Sequence, residues 1–541
     1  MATRQWTRVH LATLALAFVA LAVVCRGKWF FGDEWDFILY RGLHHPRWGL
    51  LYPHNEHWST LPILWYRAVF SVFGLRSYWP YLAGVFGLHL LACHLLWRLM
   101  RRAGVGIAVA TGLVTVFAFF GAGSENMTWA FQVGFVGSLV SGMALLLALD
   151  GAPTRRRVAL VSAGAVASLL LSGISVVMVM ALALGAFGRW GARAAAVVAA
   201  PAAAVYVVWL RTAGAVGLSG DTKSLHGGPD DIPHYVWGGM SATLGAPFHS
   251  DTVGKVLLVA LVVVAAARGR SWWRRAPEVC ALAVAAPVMF AVISQGRGNI
   301  GMAAASRYLY LCAALLLAFI AFAVQQFAGR SVLRVALVLA VSVGLAASGW
   351  LQLRDNARDD RTRDQTVRGQ MLAALTVARS EPRVSNFVDF TYNHDITVAE
   401  MASLRDRGRL PRLSPNPRQL AQARLALQVA VSQSSRRPVG GVVAALGPDA
   451  TSRRRGACDT VDLRGENAAL TRTGATGVVS VRPGRSGSAL IYVPYPGGFA
   501  GPRIVPLTAG SAVTIAFVVA GPLILQLPAG EHQVCGLRAG A

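Results

Sequence analysis

The sequence predicts an all-α polytopic membrane domain of about eleven transmembrane helices, followed by an extracytoplasmic α+β region that ends in a small β-sandwich. Three observations carry this reading. Apolar runs such as Leu11–Cys25, Val158–Leu171, Ala194–Leu210 and Val335–Ser348 fill the first 350 residues. Short Arg clusters alternate between them with balanced or acidic loops. From about Leu351 the composition turns polar. Of the 541 residues, 55% are hydrophobic and 14% charged, where a soluble chain carries about 25% charged residues. Apolar runs spaced by short charged loops leave no solvated face and are read as membrane spans.

The spans fall at 11–31, 78–97, 104–121, 128–149, 158–172, 174–188, 194–211, 252–267, 278–294, 308–327 and 332–350. Arg4/Arg8, Arg98/Arg101/Arg102, Arg155–Arg157, Arg189/Arg193, Arg268/Arg270/Arg274/Arg275 and Arg330/Arg334 then lie on one side. By the positive-inside rule that side is cytoplasmic, which places the N-terminus inside and the C-terminal region outside. The same distribution turns the net charge of +26 into a topology signal and argues against nucleic acid as a partner. The N-terminus resembles a signal peptide, but no small-residue cleavage site precedes Arg26, so the first apolar run reads as an uncleaved span.

Residues 158–188 must supply two spans, each short of the roughly 20 residues a bilayer needs. Ser172, Gly173 and Ser175 mark the break. Residues 61–75 are apolar but hold Arg67 and read as a helix in the membrane plane. Residues 211–251, rich in Gly and Pro, read as a mobile outside loop carrying Asp221, Asp230, Asp231, His226, His234 and Trp237.

The domain organisation follows: a membrane domain over 1–350 with a first outside loop at 26–77, a helical extracytoplasmic connector at 351–438, and a β-rich domain at 439–541. In the last, SALIYVPY, AVTIAFVVA and PLILQLP are β-branched or apolar runs bounded by Gly and Pro. Four of the six Cys lie in apolar segments and behave as small hydrophobes. Cys458 and Cys535 lie in the hydrophilic region and are candidates for one disulfide if it faces an oxidising compartment.

The densest polar and aromatic segment is the first outside loop. Asp33 and Glu34 follow span one directly, framed by Trp29, Phe30, Phe31 and Trp35, rings suited to the membrane–water interface. Asp36 lies three residues after Asp33, so one helical face presents both. His54-Asn55-Glu56-His57 forms a second polar cluster. Screened ion pairs with Arg26 and Lys28 are the bland reading of any one of these carboxylates. The acidic triplet and the His/Glu cluster together favour a site. In the second outside loop, Glu125 and Asn126 read as a polar cap on a span. Carboxylates and His sharing a loop leave a divalent metal open, with no HExxH or CxxC spacing to support one. No Walker-type or Rossmann-type Gly pattern is present, and no cofactor is indicated.

Span one ending in aromatics and Asp33-Glu34, a large first outside loop, and Ser306-Arg307-Tyr308 entering a late span resemble the GT-C superfamily of membrane glycosyltransferases over roughly residues 1–350. Members similar to protein mannosyltransferases and aminoarabinose transferases use a polyprenyl-phosphate-linked sugar. The resemblance implies transfer of a sugar from such a carrier to a cell-envelope glycan or lipid at the outer face of the membrane. It implies Asp33 as base, with Glu34 second, and a substrate role for Arg307 and Tyr308; the residue pattern of the first loop by itself adds Asp36, Glu56 and His57 to that substrate site. A carboxylate suits proton removal from an acceptor hydroxyl, and Arg suits the growing charge on a leaving phosphate. Arg297 is a weaker candidate for that second role. GAGSENMTWAFQ (121–132) and the His54–His57 cluster have no counterpart in the general family pattern. A transporter or flippase of an envelope precursor is the alternative, and a non-catalytic scaffold a third reading. A carrier places ionisable groups near the bilayer midplane, whereas here they collect at the outer surface.

Overall fold

The computed structural model describes residues 2–44, 49–215, 231–297, 302–329, 331–381, 383, 397–412, 414–432, 442–446, 450–456, 458–464, 469–472, 477–518 and 523–539. These form two compact units. The first comprises Met1–Lys28, Asp36–Phe73 and Ser77–Thr362; the second comprises Trp29–Trp35, Gly74–Arg76 and Arg363–Ala541.

The first unit is helical. Each of the eleven expected spans falls on a helix. Among the described residues, eight helices are long and apolar enough to cross a membrane, from Thr3–Val24 to Val332–Ser380. The chain is a membrane protein. The other three helices are shorter: Ile107–Ala118, Arg155–Ser168 and Ile174–Trp190. The last two confirm a break within 158–188, and buried hydroxyls fill it. Ser175 Oγ donates to the Ser168 carbonyl at 2.5 Å and lies 2.8 Å from Ser138 Oγ. The Leu170 carbonyl, freed by the break, accepts from Leu61 N–H at 2.9 Å. Inside a membrane such backbone groups need protein partners, and here they have them.

Residues 61–75 fall on a helix, Thr60–Phe73, whose Pro62, Ile63, Tyr66, Val69 and Phe70 are buried at helical spacing, so one face packs within the unit. Two expectations are corrected. Part of the expected mobile loop, Asp231–Gly245, is a packed helix. Its glycines serve close approach: a Cβ on Gly239 would stand 2.3 Å from the Phe290 ring. Small residues let membrane helices pack this tightly, and the same composition reads as a loop when packing is unknown. Asp221, His226 and Asp230 lie outside the described residues. Finally, the expected boundary at 350 falls inside one continuous helix, Val332–Ser380.

In the second unit, Pro417–Leu427 is a helix capped by Asn416 and Gln419, which satisfy each other's backbone N–H groups. The β region starts at Val429, earlier than expected. One six-stranded sheet runs in the order Val429–Ser432, Val513–Phe517, Gly477–Pro483, Gly530–Cys535, Cys458–Leu463, Ala450–Arg455. The other runs Leu537–Ala539, Val442–Leu446, Ala469–Arg472, Leu523–Gln526, Gly487–Tyr495, Gly498–Leu507. Side chains alternate along the strands, and Val481, Ile515 and Val534 from one sheet share a buried core with Ile491, Val505 and Leu525 from the other. This is a β-sandwich. Cys458 and Cys535, opposite each other on adjacent strands, are joined by a disulfide.

Candidate active site

The first outside loop divides between the two units. Trp29–Trp35 belongs to the second, where Trp29 N–H donates to the Asp364 carboxylate at 3.3 Å and the Arg363 guanidinium lies 3.7 Å over the Phe31 ring. In this segment Asp33 is exposed. Glu34 is fully buried, and its carboxylate accepts the Phe31 N–H at 2.7 Å, closing the turn from which Asp33 projects.

From Asp36 the loop belongs to the first unit. Residues Asp36–His44 form a π-helical stretch. Asp36, expected at the substrate, is taken up by two neighbours: His54 Nδ1 at 2.6 Å and Arg41 Nε at 3.5 Å. Arg41 is buried and also donates to the carbonyls of Tyr52, at 2.7 Å, and Pro53. Burial lowers the Arg41 pKa, and Asp36 and Tyr52 oppose that shift. The group works as a clamp that fixes where the following hairpin starts.

That hairpin is His54–His57. Its end residues exchange both backbone hydrogen bonds at 2.9 Å, and Asn55 takes the left-handed conformation at φ 51°, which Asn tolerates better than most residues. The tight turn carries Glu56 and His57 to the break between Arg155–Ser168 and Ile174–Trp190. There the Gly173 N–H donates to His57 Nδ1 at 3.2 Å. With Nδ1 accepting, the proton of the neutral ring sits on Nε2, which makes that nitrogen a donor. A Cβ on Gly173 would stand 2.7 Å from Nδ1, so glycine is what permits the contact. Phe135 packs edge-on against the imidazole with centroids 5.0 Å apart.

Glu56 and His57 face a cavity of about 270 Å³. Its polar lining is completed by Tyr206, Gln295 and Tyr308; Ile174, Val177, Met289 and Val292 contribute to an apolar wall. Three of the residues expected at the substrate, Glu56, His57 and Tyr308, thus meet from chain positions about 250 residues apart. Val176 and Tyr206 also line a second, apolar hollow of about 280 Å³ between Ile174–Trp190 and Ala192–Arg211, whose walls include Ala183, Ala199, Ala202 and Ala203. The small side chains leave room along the helix pair, and the shared residues place that room beside the cavity.

Arg307 precedes Tyr308 and is held near the protein: Nη1 lies 3.2 Å from Glu125 Oε2, and the guanidinium sits 5.1 Å from the Tyr308 ring centre. Ser306 Oγ accepts the Glu125 N–H at 3.2 Å. Glu125, read from sequence as a cap, therefore works as the partner that orients Arg307. Its segment is anchored in turn by Asn356, which donates to the Gly121 carbonyl and Ser124 Oγ at 3.2 and 3.1 Å. Lys28 bridges Asp360 at 2.8 Å and Thr128 at 3.3 Å. The side chain of Arg297 lies outside the described residues. Gly173, Tyr206 and Gln295 were missed by sequence reasoning; only the Ser-Gly break hinted at the first. Among the described residues, no group of three or more His, Cys, Asp or Glu is placed to hold a metal ion.

No protein-family model and no curated protein matches the chain. Among solved structures, it is similar to ArnT from Cupriavidus metallidurans bound to undecaprenyl phosphate, with 12% identity and a TM-score of 0.43, over 78% of this chain and 92% of that one.

Proposed function

We propose that this chain is a membrane glycosyltransferase of the GT-C type, moving a sugar from a polyprenyl-phosphate carrier to an acceptor of the cell envelope on the extracytoplasmic side. One observation carries the reading: the cavity where Glu56 and His57 meet Tyr308 combines polar groups with a larger apolar lining, and it adjoins a hollow lined, apart from Tyr206, by apolar side chains. A polar sugar phosphate on a hydrocarbon tail has that same division. In the reaction the acceptor oxygen attacks the anomeric carbon, the bond from that carbon to the phosphate oxygen breaks, and a first-loop carboxylate takes the acceptor proton. Glu56 is the carboxylate that lines the cavity; Asp33 is the one the family resemblance selects. The leaving phosphate gains negative charge, which His57 Nε2–H and the Arg307 guanidinium are suited to meet.

The test uses membranes containing the full-length protein and radiolabelled polyprenyl-phosphate sugars. Wild type is expected to transfer label to an extractable envelope fraction. Asp33→Asn and Glu56→Gln separate the two carboxylates, since the base is the one whose loss costs about 10²–10⁴-fold in rate. Full transfer by both variants would remove the proposed mechanism.

A further inference from the structure

A third hollow lies nearer the basic end of the helical unit, away from the groups proposed for transfer. It measures about 530 Å³ and is walled by the helices Asp231–Gly245, Asp251–Arg275, Pro277–Arg297 and Ser306–Ala328. This is within the range of about 300–1,000 Å³ typical of small-molecule sites. Met240, Leu258, Leu261, Ala283, Leu316 and Phe319 give it an apolar lining. Among the described residues that line it, Arg270 is the only charged one, and Trp273 lies beside it.

The inner wall is fixed by Trp272, which is buried against Phe319 and Phe322 with centroids 5.2 and 5.1 Å away. The outer wall is open. Val256, Val259, Val262 and Val263 on the same helix are exposed, and an exposed apolar helix face in a membrane protein is covered by lipid. Arg268, Arg270, Arg274 and Arg275 are also exposed. Glu278, the acid nearest in sequence, is already taken by Arg102 and Arg189 at 2.9 and 2.6 Å.

We infer that this hollow is a phospholipid site that holds an acyl chain against its apolar wall and an anionic headgroup phosphate on Arg270. Charge complementarity selects the occupant. An apolar hollow alone accepts any chain, whereas a guanidinium at its rim, with further Arg at the same helix end and no acid in the lining, favours a negative phosphate. Trp273 suits the headgroup level, where indole rings concentrate.

The test needs no transfer activity, so it stands or falls apart from the proposed reaction. Full-length protein in detergent is titrated with phosphatidylglycerol or phosphatidylcholine of equal chain length and read by native mass spectrometry. Polyprenyl phosphate forms a further arm. Phosphatidylglycerol is expected to be retained preferentially. Arg270→Ala should cut that preference about fivefold, the effect of one cation near a headgroup layer, while Arg270→Lys keeps most of it. Val284→Trp fills the hollow from a position that is 45% exposed and should lower retention of both phospholipids. Thermal unfolding is the control for folding, and if Val284→Trp fails it, Arg270→Ala decides. Equal retention of the two lipids by wild type, an unchanged preference in Arg270→Ala, occupancy by polyprenyl phosphate alone, or a lipid-free dimer would each overturn the inference.

Discussion

The helices Ile174–Trp190 and Pro277–Arg297 run antiparallel and carry a polar cluster at each end, and the two clusters differ in what surrounds them. At one end Glu278, with its side chain 3% exposed, receives Arg189 Nε at 2.6 Å and Arg102 Nη2 at 2.9 Å. Arg102 also donates to the Leu146 and Leu147 carbonyls at 3.3 and 2.9 Å. At the other end, roughly 22 Å along the helix axis at 1.5 Å per residue, Glu56 and His57 are half-buried and face a cavity. A carboxylate beside nitrogen-bearing side chains supplies each cluster. A carboxylate enclosed by two guanidinium groups ties helix ends together, whereas one at a cavity wall keeps a face toward whatever enters. Residue type alone does not separate a tie from a site; burial and partner geometry do.

The largest expected effect breaks the tie. Glu278→Gln leaves two Arg side chains facing each other with no carboxylate between them, and should cost about 3 kcal/mol, at the low end for a broken buried pair because Arg189 is partly exposed. Thermal unfolding in detergent measures it; an unchanged midpoint would mean that the cluster is not what joins these helices.

At the open end the pattern should invert. His57→Ala is expected to lower transfer about 10²-fold while moving stability by less than about 1 kcal/mol. A matching loss of stability would make His57 structural and dissolve the contrast. Gly173→Ala sharpens the point, because the added Cβ must displace His57. Transfer should fall about tenfold, within the range that small misplacements cost, and His57→Ala combined with Gly173→Ala should be no worse than His57→Ala alone.

The smallest effect concerns a pair in the second unit. Glu381 accepts both Nε and Nη2 of Arg424, at 2.9 and 2.7 Å, and these bonds hold its pKa below the ordinary glutamate value. A carboxylate depressed in the folded state stabilises fully above its unfolded pKa and loses that contribution as pH falls through the folded one. Arg424 is 37% exposed, so solvent limits the term to about 0.5 kcal/mol. Wild type and Glu381→Gln should therefore differ slightly in unfolding midpoint at neutral pH and converge well below pH 4.5. A gap that persists in acid would assign the difference to packing.

Much of this was legible in the chain. The apolar runs locate the eleven helices, the Ser172-Gly173-Ser175 break separates two of them, and β-branched alternation announces the sandwich. Errors came where one composition serves two structures. The Gly-rich stretch Trp237–Gly245 reads as a loop because glycine is flexible alone, yet it forms a helix because glycine also permits close packing against Phe290. The partners of Asp36, His54 and Arg41, become visible only once the loop folds back, because a loop carboxylate carries no mark of its partner.

Hydropathy and charge are local properties, so the sequence by itself determined which segments enter the membrane and which residue types collect in the first loop. Tertiary structure decided which of those residues meet. Glu56, His57, Gly173, Gln295 and Tyr308 converge because helices far apart in the chain pack side by side. That order is set by close approaches such as those at Gly173 and Gly239, which no periodicity within a single segment encodes.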